Sequence, residues 1–222
     1  MEFTATARRL GIGAATLVAA LIVTYAASLA VGLSSLESPD EPIGGPVFVA
    51  LEILILALMP AVVVLMVAVH AWAPAPAKSL SLAALVFMAM TTAVTSVVHF
   101  VILTIGRHPE FASQPWTPWL LSFRWPSVAY ALDILAWDVF FPLSMVCAAP
   151  VFGGSRLALW VRRSMLASAT LAFLGLAGVA AGDMRIRNVG ILGYVIGFLV
   201  VVILIAVVFV RTAPADDPPG RA

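Results

Sequence analysis

Six long apolar runs constrain this chain more than any other feature of its sequence. A helix needs about 20 residues to cross the ~30 Å hydrocarbon core of a membrane, and each run reaches that length. The sequence predicts an all-α, polytopic transmembrane bundle of six helices in a single domain, residues 1–211, followed by a disordered cytoplasmic tail, residues 212–222. The predicted helices cover about residues 10–33, 46–72, 79–105, 126–151, 157–181 and 189–210.

The composition agrees with this class. Of the 222 residues, 63% are hydrophobic and 10% are charged, whereas soluble domains are about 25% charged. The net charge of +1 provides no basic surface for nucleic acid, so the lipid bilayer is the predicted partner. Cys147 is the single cysteine and cannot form a disulfide within the chain.

The orientation follows from the basic residues, which collect on the cytoplasmic side of membrane proteins. Arg8 and Arg9 precede a first run of about 24 residues, which is longer than the ~7–15 apolar residues of a signal peptide and predicts a retained helix. A cytoplasmic N-terminus places eight of the twelve basic residues inside and four outside, so both termini are expected in the cytoplasm. Eleven arginines and abundant alanine favour a bacterial source, and hence the bacterial cytoplasmic (inner) membrane.

Acidic and basic side chains within the apolar runs are the candidate site. At about 1.5 Å per residue, Glu52, His99 and Asp133 all lie roughly 9–10 Å below the outer ends of their helices. Charged groups at such depth usually face protein or water rather than lipid, so the three are expected to meet between helices two, three and four. Thr95 and Tyr130 share the predicted faces of His99 and Asp133.

Asp138 is a second acid on the predicted fourth helix and points about 140° away from Asp133. Pro142 follows it and cannot donate to its carbonyl, which predicts a kink. Because Asp138 has no evident partner in the sequence, we expect Asp133→Asn to remove a pH-dependent or ligand-dependent property and Asp138→Asn to have the smaller effect.

Three functions fit this cluster. It binds or passes a small ligand, a proton or a lipid-like molecule through an outward-facing polar pocket, which we favour; it is the site of a metal-dependent membrane hydrolase; or it only holds the helices of a structural or accessory subunit together. The sequence has no metal, nucleotide or thiol-redox motif, so no metal and no cofactor is predicted. Whether the protein is an enzyme stays open, with a non-enzymatic role favoured.

The outer loop at residues 107–125 is rich in aromatic residues. Such side chains collect at the level of the lipid headgroups, so one interpretation is a membrane anchor. The other is a lid over the polar cluster, since the loop leads directly into the helix that carries Asp133. The residues assigned to this lid or interface are Trp116, Trp119, Arg124 and Trp125.

Two pairs of glycines have the spacing of close helix contacts. Gly178 and Gly182 precede the last predicted helix, and Gly193 and Gly197 lie within it. Glycines four residues apart let helix backbones approach each other, which predicts a possible homodimer contact through these four positions.

The stretches WPSVAYALDILAWD and GDMRIRNVGILGY, with the tryptophan-rich approach to the first, resemble an uncharacterised family of small bacterial multi-pass membrane proteins. The resemblance covers about residues 115–195. It implies a six-helix integral membrane protein and no particular activity, cofactor or site residue.

Overall fold

The fold is known from a computed structural model that describes residues 3–36 and 43–216. Every regular element in these ranges is helical. The α-helices are α1 (Ala5–Ser34), α2 (Gly45–Trp72), α3 (Lys78–Thr104), α4 (Pro109–Ala112), α5 (Thr117–Leu120), α6 (Val128–Ile134), α7 (Phe141–Ala148), α8 (Arg156–Ala181), α9 (Met184–Ile191) and α10 (Phe198–Arg211).

Short 3-10 and π-helical turns join several of these helices into continuous rods. Six of the rods, here called the first to sixth spans, are long and apolar enough to cross a membrane, which confirms the number of helices predicted from the sequence. Their bounds are Ala5–Ser34, Gly45–Trp72, Ala75–Arg107, Val128–Val151, Arg156–Ala181 and Met184–Arg211.

The spans run up and down, and each packs against the next in sequence. The first span also packs against the sixth, which closes the bundle. The fourth span is the most enclosed, since 61% of its most apolar window is buried against 22–39% in the others. Residues 105–127, here called the lid segment, lie at one end of the bundle, here called the lid end. Phe3 and Asp216 lie at the opposite end, here called the terminal end.

The fourth span accommodates its proline without a break. Pro142 has no N–H, and the turn before it, Leu135–Phe140, widens into a π-helix in which the N–H of Phe141 bonds the carbonyl of Ala136. The irregularity predicted at Pro142 thus takes the form of a π-helical turn at Leu135–Phe140, and the kink itself stays a prediction. A second π-helical turn, Leu192–Gly197, lies in the sixth span. Such turns occur frequently at functional sites.

The sixth span begins at Met184, five residues before the predicted start. Asp183 caps it, because its carboxylate accepts a hydrogen bond of 2.8 Å from the backbone N–H of Arg185. The cap allows the polar sequence MRIRN to be helical. Arg187 is consequently a helical residue with a fixed orientation rather than part of an outer loop.

The start of the predicted disordered tail packs against the N-terminus. Ala215 donates its N–H to the carbonyl of Phe3 at 2.9 Å, and Asp216 accepts from the N–H of Ala5 at 2.7 Å. Arg8 donates to the carbonyls of Phe209 and Val210. Residues 212–216 therefore have a defined place, and the rest of the predicted tail lies outside the described residues.

The glycines assigned to a dimer contact serve packing within the chain. A Cβ on Gly178 would overlap the backbone of Arg187, and a Cβ on Gly193 would lie 2.6 Å from the carbonyl oxygen of Ser168. Gly197 also faces Ser168, whereas Gly182 ends the fifth span with a φ of +69°. The close contact joins the fifth and sixth spans, and homodimerisation stays a prediction.

Candidate functional site

The first pair of the site joins the second and third spans. Nδ1 of His99 lies 2.8 Å from Oε2 of Glu52, and both side chains are buried. An ionised carboxylate can only accept, so Nδ1 carries the proton of this bond when Glu52 is charged. Nε2 is then the nitrogen that can take up a second proton.

Asp133 lies on the free side of His99. Its Oδ1 is 3.9 Å from Nε2 of His99, beyond hydrogen-bond distance but close enough for a strong charge interaction. Tyr25 of the first span lies near both Glu52 and Asp133. The structure thus brings together Glu52, His99 and Asp133, the three residues that share one predicted depth.

Arg187 of the sixth span completes the site and was missed as a site residue in the sequence. Its Nη2 lies 3.0 Å from Oδ2 of Asp138 and 3.5 Å from Oδ2 of Asp133, and its Nε donates to Asp138 at 3.2 Å. The side chain is buried, with 3% of its surface exposed. Asp138, which the sequence leaves without a partner, therefore has the strongest contact to this arginine.

Two tyrosines hold the guanidinium of Arg187 from the sides. Nη1 donates to the hydroxyl of Tyr130 at 3.3 Å, and the guanidinium carbon lies 5.0 Å from the centre of the Tyr130 ring. The ring of Tyr194, in the π-helical turn of the sixth span, is 5.7 Å away. Both distances suit cation–π attraction, so the position of Arg187 is fixed by charge, hydrogen bonds and aromatic faces together.

Asp138 occupies a space that only glycines leave open. Its side chain is fully buried in the π-helical turn, and Oδ1 has no N–H or O–H partner among the described residues. A Cβ on Gly175 would lie 2.7 Å from Oδ1, and a Cβ on Gly190 would overlap it. The Cα–H groups of the two glycines therefore face this oxygen, and such groups are weak hydrogen-bond donors.

The third span continues the polar surface below His99. Thr95 lies one turn away with its hydroxyl oxygen buried and without a partner among the described residues. Thr91 donates to the carbonyl of Ala136 at 3.3 Å, which ties the third span to the π-helical turn. Thr95, predicted as a site residue, thus lies one turn from His99 and forms no hydrogen bond with the described residues of the cluster.

The lid segment reaches the cluster through Phe123. The ring centre of Phe123 lies 4.9 Å from that of His99, so an apolar side chain covers the histidine at the lid end. Trp125, a predicted lid residue, contacts Tyr130 edge-on, with ring centres 6.4 Å apart. All four predicted lid residues, Trp116, Trp119, Arg124 and Trp125, are exposed, Trp119 to 63% and Trp125 to 40%.

The arrangement is a chain of charged groups across four spans. It runs from Glu52 through His99 and Asp133 to Arg187 and Asp138. Within residues 3–36 and 43–216, no three His, Cys, Asp or Glu side chains are grouped as metal ligands would be. The acids are arranged around a histidine and an arginine, which suits transfer and storage of a proton.

These observations define the class as an all-helical protein with six helices long enough to span a membrane and a buried cluster of charged residues between four of them. No known protein family matches the chain, and neither a curated protein nor a solved structure matches it.

Proposed function

We propose that this chain is a multi-pass protein of the bacterial inner membrane, with both termini in the cytoplasm, whose buried cluster reversibly binds protons. Six apolar spans support the insertion, and the distribution of basic residues supports the orientation. In this orientation the lid end faces outward. Proton binding would serve the passage of protons or of a small ligand coupled to them.

The imbalance of charge within the cluster carries this proposal. Three carboxylates stand against one arginine, so the cluster has a net charge of −2 when His99 is neutral. A single charge within a membrane costs at least about 2.5–3.5 kcal/mol. Two protons, one on His99 and one on a carboxylate, neutralise this net charge. The cluster is therefore suited to bind and release protons.

Enclosure of the cluster favours a proton over a larger ligand. Glu52, His99, Asp138 and Arg187 are buried, and Phe123 covers His99. A larger molecule would have to displace the lid segment, whereas a proton needs only one water or hydroxyl at a time. A small or lipid-like ligand remains an alternative, as does a metal-dependent hydrolase, which would require Arg187 to leave the two aspartates.

The test measures carboxylic-acid protonation directly by difference infrared spectroscopy over a range of pH. We expect the purified protein to show a C=O band of a buried carboxylic acid that changes with pH, and we expect Asp133→Asn to lose that change. Glu110→Gln, in the exposed part of the lid segment, is the control and should keep it. Identical pH responses in the unaltered protein and Asp133→Asn would overturn the proposal in favour of a purely structural cluster.

A further inference from the structure

The buried face of the third span carries polar residues in two groups, which the apolar residues Ala84 and Met88 separate. Its buried polar residues run from Ser81 near the terminal end to His99 at the cluster, a distance of about 27 Å along the axis at 1.5 Å per residue. Hydroxyl groups inside a membrane protein form hydrogen bonds between helices, and the ionisable residues among them mark the paths of ions and protons. The members are Ser81, Thr91, Thr92, Thr95 and His99.

The half of this face nearest the cluster leads to the π-helical turn. Thr95 is one turn, about 6 Å, from His99, and its buried hydroxyl has no partner among the described residues. One turn further, the hydroxyl of Thr91 reaches the carbonyl oxygens of Phe87 at 3.1 Å and Ala136 at 3.3 Å. A hydroxyl both donates and accepts, so each can receive a proton on its oxygen from a water or hydroxyl and release its own to another water or hydroxyl, once it turns away from the carbonyl that it bonds.

The other half ends at a histidine. Ser144 of the fourth span is fully buried and donates to the carbonyl of Ala84 at 2.7 Å. About one turn below Ala84, the hydroxyl of Ser81 lies 2.8 Å from Nδ1 of His70. His70 is partly exposed at the terminal end.

Two further contacts fix the surroundings of this pair. Ser81 donates to the carbonyl of Lys78 at 2.8 Å, and Lys78 donates to the carbonyls of His70 and Ala71. Lys78 and Ser81 are the polar side chains that the third span turns toward His70. The pair therefore joins a buried hydroxyl, that of Ser81, to a titratable group, His70, that is partly exposed.

Met88 separates the two halves. It is buried to 1% exposure and lies between the levels of Thr91 and Ala84, which are about 10 Å apart along the helix axis. Its side chain has no group that carries a proton at neutral pH. A continuous chain of hydroxyl groups and water at this level would let protons flow down their gradient across the membrane. The apolar layer at Met88 prevents this flow between the two halves.

We propose that the third-span hydroxyls and Ser144 form two half-paths for protons, closed from each other at Met88, which connect the charged cluster with a second proton-exchange site, the His70–Ser81 pair. This rests on the proposed proton binding by the cluster and extends it across the membrane. The transported species is a proton, passed between hydroxyl groups and water without a change of redox state.

The test replaces the apolar layer with a polar side chain of the same length. Met88→Gln and its matched control Met165→Gln, which alters an equally buried methionine on the fifth span, are reconstituted into vesicles that contain a pH-sensitive dye. After a pH gradient is imposed, we expect Met88→Gln to raise the proton flux about tenfold over the control, equivalent to about 1.4 kcal/mol in barrier height. Adding Ser81→Ala to Met88→Gln should lower the flux again.

The outcomes separate the two proposals. Equal fluxes in Met88→Gln and Met165→Gln overturn the path, and if the pH-dependent infrared band of the cluster persists, the proposed proton binding stands. Absence of that band in the unaltered protein overturns the proton binding itself. If Met88→Gln does not fold, Met88→Ser, which leaves room for a water, provides the same comparison with Met165→Ser, and equal fluxes there overturn the path as well.

Discussion

Gly190 of the sixth span lies against the buried carboxylate of Asp138 so closely that a methyl group on the glycine would overlap Oδ1. The contact explains how a carboxylate can be buried in a tightly packed region where the fourth, fifth and sixth spans meet. It also holds Oδ2 of Asp138 toward Arg187, at 3.0 Å from Nη2. Two glycine hydrogens and one arginine therefore set the position of this acid.

Gly190→Ala should consequently destabilise the protein, because the new methyl group forces Asp138 or a helix to move. Overpacking of this kind typically costs about 1–3 kcal/mol. The control is Gly13→Ala in the first span, where a Cβ meets nothing within 4 Å and should stabilise the helix by about 0.5–1 kcal/mol. Unfolding midpoints of both variants in detergent measure the difference, and equal stability would contradict the packing described for Asp138.

Removal of Arg187 should be among the most damaging single changes. Arg187→Gln leaves Asp138 charged and without its counter-ion, and breaking a buried ion pair from one side costs about 3–5 kcal/mol. Arg185→Gln changes an exposed side chain two residues earlier and should alter stability by less than about 0.5 kcal/mol.

A double variant checks the cause of the Arg187 effect. If the loss comes from the uncompensated charge, Asp138→Asn combined with Arg187→Gln should be more stable than Arg187→Gln alone. A double variant as unstable as the sum of the two single variants would contradict this account.

The sequence predicts the six helices because hydrophobic length alone determines them, and it predicts the meeting of Glu52, His99 and Asp133 because helix rise determines their depth. Rotation about each helix axis is not determined by depth. For this reason the sequence leaves Asp138 without a partner and does not identify Arg187 as that partner. From the sequence, an arginine next to an apolar run is expected at the surface. In the structure, the cap at Asp183 starts the helix before Arg187 and makes this arginine part of the span.

The lid illustrates the same limit. From the sequence, the lid is assigned mainly to tryptophans, because these collect at membrane surfaces. In the structure, the side chain that covers His99 belongs to Phe123. Nothing in the spacing distinguishes this phenylalanine from its aromatic neighbours, since the segment turns through short helices whose packing is decided by tertiary contacts. The π-helical turns are also invisible in the sequence, although Pro142 indicates that the fourth span is irregular.

Neutralising the two aspartates should have different effects. Asp138→Asn should have the larger effect on stability, whereas Asp133→Asn should have the larger effect on pH-dependent function. Asp133 contacts His99 at 3.9 Å and Arg187 at 3.5 Å, so Asp133→Asn should leave stability nearly unchanged while flattening its dependence on pH. Asp138→Asn weakens the two bonds to Arg187 and should lower stability by more than Asp133→Asn does. The smaller effect predicted from the sequence for Asp138→Asn concerns a pH-dependent or ligand-dependent property, and it stays a prediction. Unfolding midpoints across a pH series distinguish the variants, and a larger loss of stability in Asp133→Asn would contradict the contact distances.

Phe123 should control access to His99 from the lid end. Phe123→Ala removes the ring that covers the imidazole and should increase the rate at which diethyl pyrocarbonate modifies His99, as read from the mass of the peptide that contains it. Phe111→Ala is the matched control, because Phe111 is an exposed aromatic residue of the same segment that packs on Trp116. His108, exposed in the same segment, gives an internal reference for reagent activity in every sample. A rate at His99 that is unchanged in Phe123→Ala relative to His108 would contradict the conclusion that Phe123 covers His99 at the lid end.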